Sequence, residues 1–198
     1  MLPTSSNIGL KEWSVTSEAL GSGEQIFMLR KGGIREDGRH FKIEHEQFLL
    51  YPGLFHEGEL LLKDEYQHML RTTPGADFTT EVPISVYCEL AETIYISEEE
   101  QVRALDEHHI WSKEFPVKRF SWKPREPLKL MIVRAYRLTE PVTIPVEDSY
   151  AGCKSWVELA DRIDLKNATP ALTDSEFAER VAKIHASLTT ETVNAFPR

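Results

Sequence analysis

Hydrophobic and polar positions alternate along "EQIFMLRK" (24–31), with Ile26, Met28 and Arg30 on one parity and Phe27, Leu29 and Lys31 on the other. A period of two predicts a β-strand. "HFKIEHEQFLLYP" (40–52) begins the same way, with Phe41 and Ile43 on one face, and Tyr51-Pro52-Gly53 stops it. In "EVPISVYCELAETIYI" (81–96) every even position is apolar except Glu92, which predicts a long strand with one buried face and one carboxylate in its row. "PLKLMIVRAYRL" (127–138) is apolar on both parities through its middle, the pattern of a central strand covered on both sides. "EPVTIP" (140–145) reads as a short strand pinned by prolines.

A period near 3.6 takes over elsewhere. Leu62, Tyr66, Met69 and Leu70 predict a surface helix in "ELLLKDEYQHMLR" (59–71). "SEEEQVRALDEHHIW" (97–111) opens with a capping box from Ser97 to Glu100 and turns Val102 and Leu105 inward, with His109 or Ile110 as the next inward position. "TDSEFAERVAKIHASL" (173–188) has a second box, Thr173 to Glu176, and a stripe of Phe177, Val181, Ile184 and Leu188. That stripe predicts a helix packed back on the domain, with a free partner-binding helix as the alternative. "KEWSVTSEAL" (11–20) fits a short helix or an incoming strand, ended by "GSG". "SYAGCKSWVEL" (149–159) reads as a turn into a last strand or helix, and "DLKNATPAL" (164–172) as a linker. Strands outnumber helices without a βαβ alternation, which favours an α+β domain or a small partly closed barrel over a doubly wound sheet. The expected organisation is a leader over 1–10, one domain over 11–165, and a linker with a C-terminal amphipathic helix over 166–198.

Composition narrows the classes. The chain has 198 residues, 41% hydrophobic and 28% charged, ordinary for a globular protein with one sizeable core. A formal charge of −9 argues against a broadly basic nucleic-acid binder but permits a local basic patch. "MLPTSSNIGLKEW" has neither a basic nor an apolar signal region, and no apolar run approaches the roughly 20 residues of a membrane span. The two cysteines, Cys88 and Cys153, lie far apart with no CxxC spacing, so the expected location is a reducing cytoplasm, without a zinc motif or disulfide framework. No GxxxxGK[ST] loop occurs, and nothing calls for a metal or a cofactor.

Several groups can carry chemistry. Arg30, Lys31 and Arg35, with Arg39, surround Gly32 and Gly33, where cations and backbone N–H groups can converge on an anion; a solvated hairpin tip has the same composition. "EQFLLYPGLFHE" (46–57) brings Tyr51, Phe55, His56 and Glu57 near one another, as base stacking or as aromatic core around a turn. "KRFSWKPREPLK" (118–129) sets Lys118, Arg119, Lys123, Arg125 and Lys129 among Phe120 and Trp122, the mixture that single-stranded nucleic acid recognition uses; an exposed loop anchored by Trp122 is the plainer reading. His108 and His109 point about 100° apart on a helix, so they suit capping better than chelation. Glu92 is a candidate buried base, paired with Arg134 or turned out by a bulge in the plainer readings. His56 is the other candidate base.

"SEALGSGEQIFMLR" (17–30) resembles the start of ASCH domains in the PUA-like superfamily, where a strand follows the pattern G-x-K-x-x-E-x-R. Gly23 and Arg30 match; Gln25 and Met28 stand at the lysine and glutamate positions, and Ile26 where a threonine falls in the amidohydrolases of that group. That catalytic pattern is therefore incomplete. "KEW", "FLLYPGLFHE", "HHIW" with "FSWKP", and "GCKSWVEL" resemble an uncharacterised, cytosolic family known only as a domain of unknown function, sometimes found with a restriction-endonuclease-like domain. Together these resemblances imply a PUA-like α+β fold: a small mixed or partly closed β-barrel with flanking helices and a C-terminal helix. They imply a cytosolic binding module for single-stranded RNA or DNA or a modified base, linked to a restriction-type defence system with an endonuclease-type partner. The alternatives are a hydrolase on a nucleotide or nucleic acid, and a non-catalytic protein-interaction subunit. The ligand-binding set on the leading reading is Arg30, Lys31, Arg35, Tyr51, His56, Lys118, Arg119, Trp122 and Lys123.

Overall fold

A computed structural model describes residues 2–31, 41–53, 61–71, 78–124, 126–152 and 154–194. Its strands are β1 (Ser5–Trp13), β2 (Phe27–Arg30), β3 (Gln47–Gly53), β4 (Glu81–Ile96), β5 (Leu128–Pro145), β6 (Trp156–Asp164) and β7 (Thr169–Pro170). Its helices are α1 (Ser14–Ser22), α2 (Glu99–Ala104), α3 (Glu114–Ser121) and α4 (Asp174–Asn194). The sheet runs β2-β5-β4-β3-β1-β6, with β7 added on β5. β1 and β3 are parallel, and the other pairings are antiparallel. The fold is thus a mixed α+β architecture with flanking helices and a C-terminal helix.

The sheet is curled. β2 and β1 are four strand spacings apart along the hydrogen-bonded path, about 19 Å if the sheet were flat. Yet the Arg30 side chain on β2 reaches the β1 backbone at Lys11 O. One cluster of buried side chains draws on Leu10 of β1, Met28 of β2, Phe48 and Leu50 of β3, Cys88 of β4 and Met131 of β5, which fill the concave side. Backbone ladders among the described strands do not close the curl into a barrel; Arg30 bridges the gap with a side chain instead.

Alternation explains how both faces of β5 are filled. Leu130 and Ile132 pack with Phe27, Leu29 and the helices, while Met131 and Val133 join the concave cluster. β4 is less regular. Register shifts between Ile84 and Val86 and between Leu90 and Glu92 each change which parity faces which side. Val82, Ile84 and Tyr87 therefore share one cluster, Val86 and Cys88 another, and Ile96 a third. The single buried row expected for this strand is replaced by three short ones.

Other expectations shift as well. Residues 5–10, read as leader, lie in β1 between β3 and β6. "KEWSVTSEAL" is both things at once, the end of β1 and then α1. The 59–71 helix is a 3₁₀ turn over Asp64–Arg71. The cap of α2 lies one residue later than expected, with Glu98 N donating to Gln101 Oε1 at 3.2 Å. Residues 140–145 continue β5, and the expected linker contributes β7 and the buried Leu165. The Thr173–Glu176 box forms as read, with Thr173 N donating to Glu176 Oε2 at 2.8 Å, and Ile184 and Leu188 are buried in the helix-side cluster. Cys88 is fully buried, and burial pushes its thiol pKa upward; Cys153 lies outside the described residues. No described helix is long and apolar enough to cross a membrane.

Candidate functional site

The gap between β2 and β1 is where chemistry-bearing side chains collect. Arg30 ends β2, and its Nη2 donates to Lys11 O at 2.6 Å and to Glu12 Oε2 at 2.8 Å. The Arg30 and Glu12 side chains are only 11% and 14% exposed, so the pair is largely shielded from water. Glu12 Oε1 also accepts the Trp13 N–H at 2.8 Å, which fixes the carboxylate. The Arg30 guanidinium lies 5.6 Å from the Phe41 ring centre, and its Nε is buried with no hydrogen-bond partner among the described residues.

Above this ion pair opens a cleft of about 360 Å³. Its polar lining includes Lys11, Glu12, Thr16, Arg30 and Arg119, and its aromatic lining Trp13, Tyr51, Trp111 and Phe115. The β1–β3 register sets Lys11 beside Tyr51 and Trp13 beside Gly53. The indole of Trp111 is held by donating Nε1–H to Thr16 Oγ1 at 3.2 Å, and its ring lies 5.4 Å from Phe115. Arg119 follows Phe115 by one turn of α3, so both reach the same cleft. The Lys11 ammonium is tied back to Tyr150 O and Gly152 O. Burial, with the neighbouring Tyr150 phenol, raises the pKa of Tyr51, so its hydroxyl stays protonated at neutral pH.

The sequence-derived set divides. Arg30, Tyr51 and Arg119 meet in the cleft. Lys31 turns away from solvent: its ammonium donates to Phe120 O and lies 4.9 Å over the Phe120 ring. Desolvation lowers its pKa, opposed by Glu126. The basic segment from Lys118, expected as a loop, is α3 as far as Ser121, with Trp122 just beyond it. Lys118 is exposed, and Arg119 and Lys123 lie 5.9 and 4.7 Å from the Trp122 ring centre. Arg35 and His56, together with Arg39, Phe55, Glu57 and Arg125, lie outside the described residues.

Glu92 is no buried base. It stands at the second β4 irregularity, 41% exposed, with His185 of α4 at 2.9 Å, while Arg134 pairs with Asp174. His109 is no charged helix cap. It is buried between Phe27 and Trp111, and desolvation lowers its pKa to about 4. Gln25, at the lysine position of the ASCH pattern, is a buried structural amide: Nε2 donates to Phe27 O at 2.7 Å and Oε1 accepts Ile110 N–H at 3.0 Å. Met28, at the glutamate position, is fully buried on the concave side. Among the described residues no three His, Cys, Asp or Glu side chains gather to hold a metal.

Sequence reasoning missed Glu12, Trp13, Thr16, Trp111 and Phe115. The one signal available was tryptophan beside charge in "KEW" and "HHIW", which does not reveal that the two segments meet.

A family described as "Domain of unknown function (DUF1802)" matches residues 9–183. Among solved structures, a mutant ZmASCH protein from Zymomonas mobilis is similar at 10% identity, covering 92% of this chain and 99% of its own, with a TM-score of 0.43. The search of curated proteins gave no match.

Proposed function

The chain belongs to the DUF1802 family, whose name assigns no activity, and from that premise we propose that the cleft binds a nucleobase, as part of a nucleic acid or modified nucleotide. The observation that carries this reading is the composition of one 360 Å³ cleft: four aromatic side chains beside a shielded Glu12–Arg30 pair, with Arg119 as a further cation. Aromatic faces stack on any base, and alanine substitutions put such stacking at about 1–3 kcal/mol per base. A carboxylate accepts from the amino and imino N–H groups of a base edge, and a guanidinium donates to its carbonyl and ring nitrogens. Glu12 retains acceptor capacity, because each carboxylate oxygen has two lone pairs and each is shown with one donor. Cations near the mouth supply the phosphate interaction that a chain of charge −9 otherwise lacks.

The test is titration of the full chain with nucleoside monophosphates and short single-stranded oligonucleotides, followed by tryptophan fluorescence at low ionic strength. Binding is expected to quench the emission, and Phe115→Ala and Arg119→Ala each to weaken it while the fold is retained. No binding to any of these ligands at low salt overturns the proposal.

A further inference from the structure

α3 carries its chemistry past the edge of the cleft. Phe115 and Arg119 line the cleft, and Trp122 follows the helix end by one residue. Seven residues at helical rise place Trp122 about 10 Å beyond Phe115. Trp122 is 36% exposed, one of few large hydrophobic residues at the surface among the described residues. Arg119 lies 5.9 Å and Lys123 4.7 Å from its ring centre, and Lys118 is exposed on the helix beside it. Lys123 is held at φ 51°, a left-handed conformation that an L-residue adopts where its surroundings impose it. Glu126 N donates to Lys123 O at 3.0 Å and fixes that turn. Two cations against one exposed indole, with the exposed Lys118 one helical turn before it, are out of character for a chain of charge −9, and they continue from the cleft through Arg119.

We infer that the end of α3 is a second subsite continuous with the cleft, and that its occupant is a single-stranded polynucleotide rather than a free nucleotide. One base enters the cleft, the adjoining phosphate passes Arg119 and Lys118, and a flanking base stacks on Trp122. The inference rests on the reading of the cleft as a base site. What it adds is the length of the ligand. Positive charge complements the phosphates, and the indole offers the sequence-tolerant stacking surface that single strands use. A duplex would bury its base faces and leave Trp122 unused.

The experiment compares mononucleotides with short mixed-sequence RNA, DNA and duplex DNA on the full chain. Single-stranded oligonucleotides are expected to bind more tightly than mononucleotides or duplex, and the RNA and DNA arms show which backbone is preferred. Trp122→Ala should weaken oligonucleotide binding about 10-fold and leave mononucleotide binding unchanged. Lys118→Ala, an exposed change that spares the fold, should lower the slope of log affinity against log salt by about one. If mononucleotides and oligonucleotides bind equally, or duplex binds as well as single strands, or both variants bind like the parent chain, the second subsite is overturned and the cleft reading stands. If no nucleotide or oligonucleotide binds, the cleft reading falls and this inference falls with it.

Discussion

At the scale of single residues, burial sets the charge state of His109, which packs against the Trp111 ring that lines the cleft. His109 is 4% exposed, and its pKa drops from 6.5 to about 4 chiefly through desolvation, with Lys63 lowering it further and Asp106 opposing. Between those values the unfolded chain binds the extra proton and the folded chain does not. Stability is therefore complete above the unfolded value and declines as pH falls from about 6.5 toward 4, by about 3 kcal/mol at the limit. Urea unfolding across that window should show the decline, and His109→Phe, packed between the same Phe27 and Trp111 rings, should flatten it. The Glu12–Arg30 pair makes a second expectation. Arg30→Met leaves a shielded carboxylate without its countercharge and should cost about 2–3 kcal/mol in denaturant unfolding. Adding Glu12→Gln should recover part of that loss, because the charge left behind is then removed. Arg30 stands out in the sequence as a candidate cation, but its partner Glu12 does not, since a helix separates the two along the chain.

At the scale of elements, a segment's period foretells whether it is strand or helix more surely than which face it buries or how tightly it winds. β5 was legible because both its parities are apolar over 130–133, and α4 because Phe177, Val181, Ile184 and Leu188 keep helical spacing behind a cap. Ile184→Ala should therefore cost about 2–4 kcal/mol by thermal or urea unfolding, far more than a helix loose in solvent would show. β4 departs from one continuous face because its two irregularities each insert a change of parity; Glu92 in the apolar row marks the second, as the bulge reading has it, and no local composition marks the first. Gly23 was read for its turn geometry, and the structure gives a second reason. It holds φ 78° with its N–H donating to Leu20 O, and a Cβ there would lie 2.7 Å from Leu172 Cδ2. Gly23→Ala should destabilise by more than about 1 kcal/mol, since both the backbone and the neighbour resist it; a change in unfolding midpoint at unchanged m-value is the readout.

At the scale of the whole molecule, the N-terminal segment becomes central. β1 joins β3 to β6 and supplies Lys11, Glu12 and Trp13 to the cleft. A chain lacking residues 1–13 is expected to lose its cooperative unfolding transition and its near-ultraviolet dichroism, in contrast to the mild effect of trimming a leader. Charge belongs to this scale too. A body of −9 repels polyanions, so the proposed ligand would have to approach by the side of Arg119, Lys118 and Lys123.

The sequence by itself determined the strand-rich α+β character, the doubly covered β5, the C-terminal helix, and the basic aromatic segment beyond residue 117. These follow from periodicity and composition, which act over a few residues. Only the tertiary structure decided that the sheet curls far enough for Arg30 to reach Glu12, and that Trp13, Tyr51, Trp111 and Phe115 share one cleft. It also decided that Glu92, Lys31 and His109 serve packing and pairing elsewhere. The physical reason is that curl and strand order arise from the summed twist, bulges and long-range pairing of all the strands. No window of neighbouring residues contains that sum.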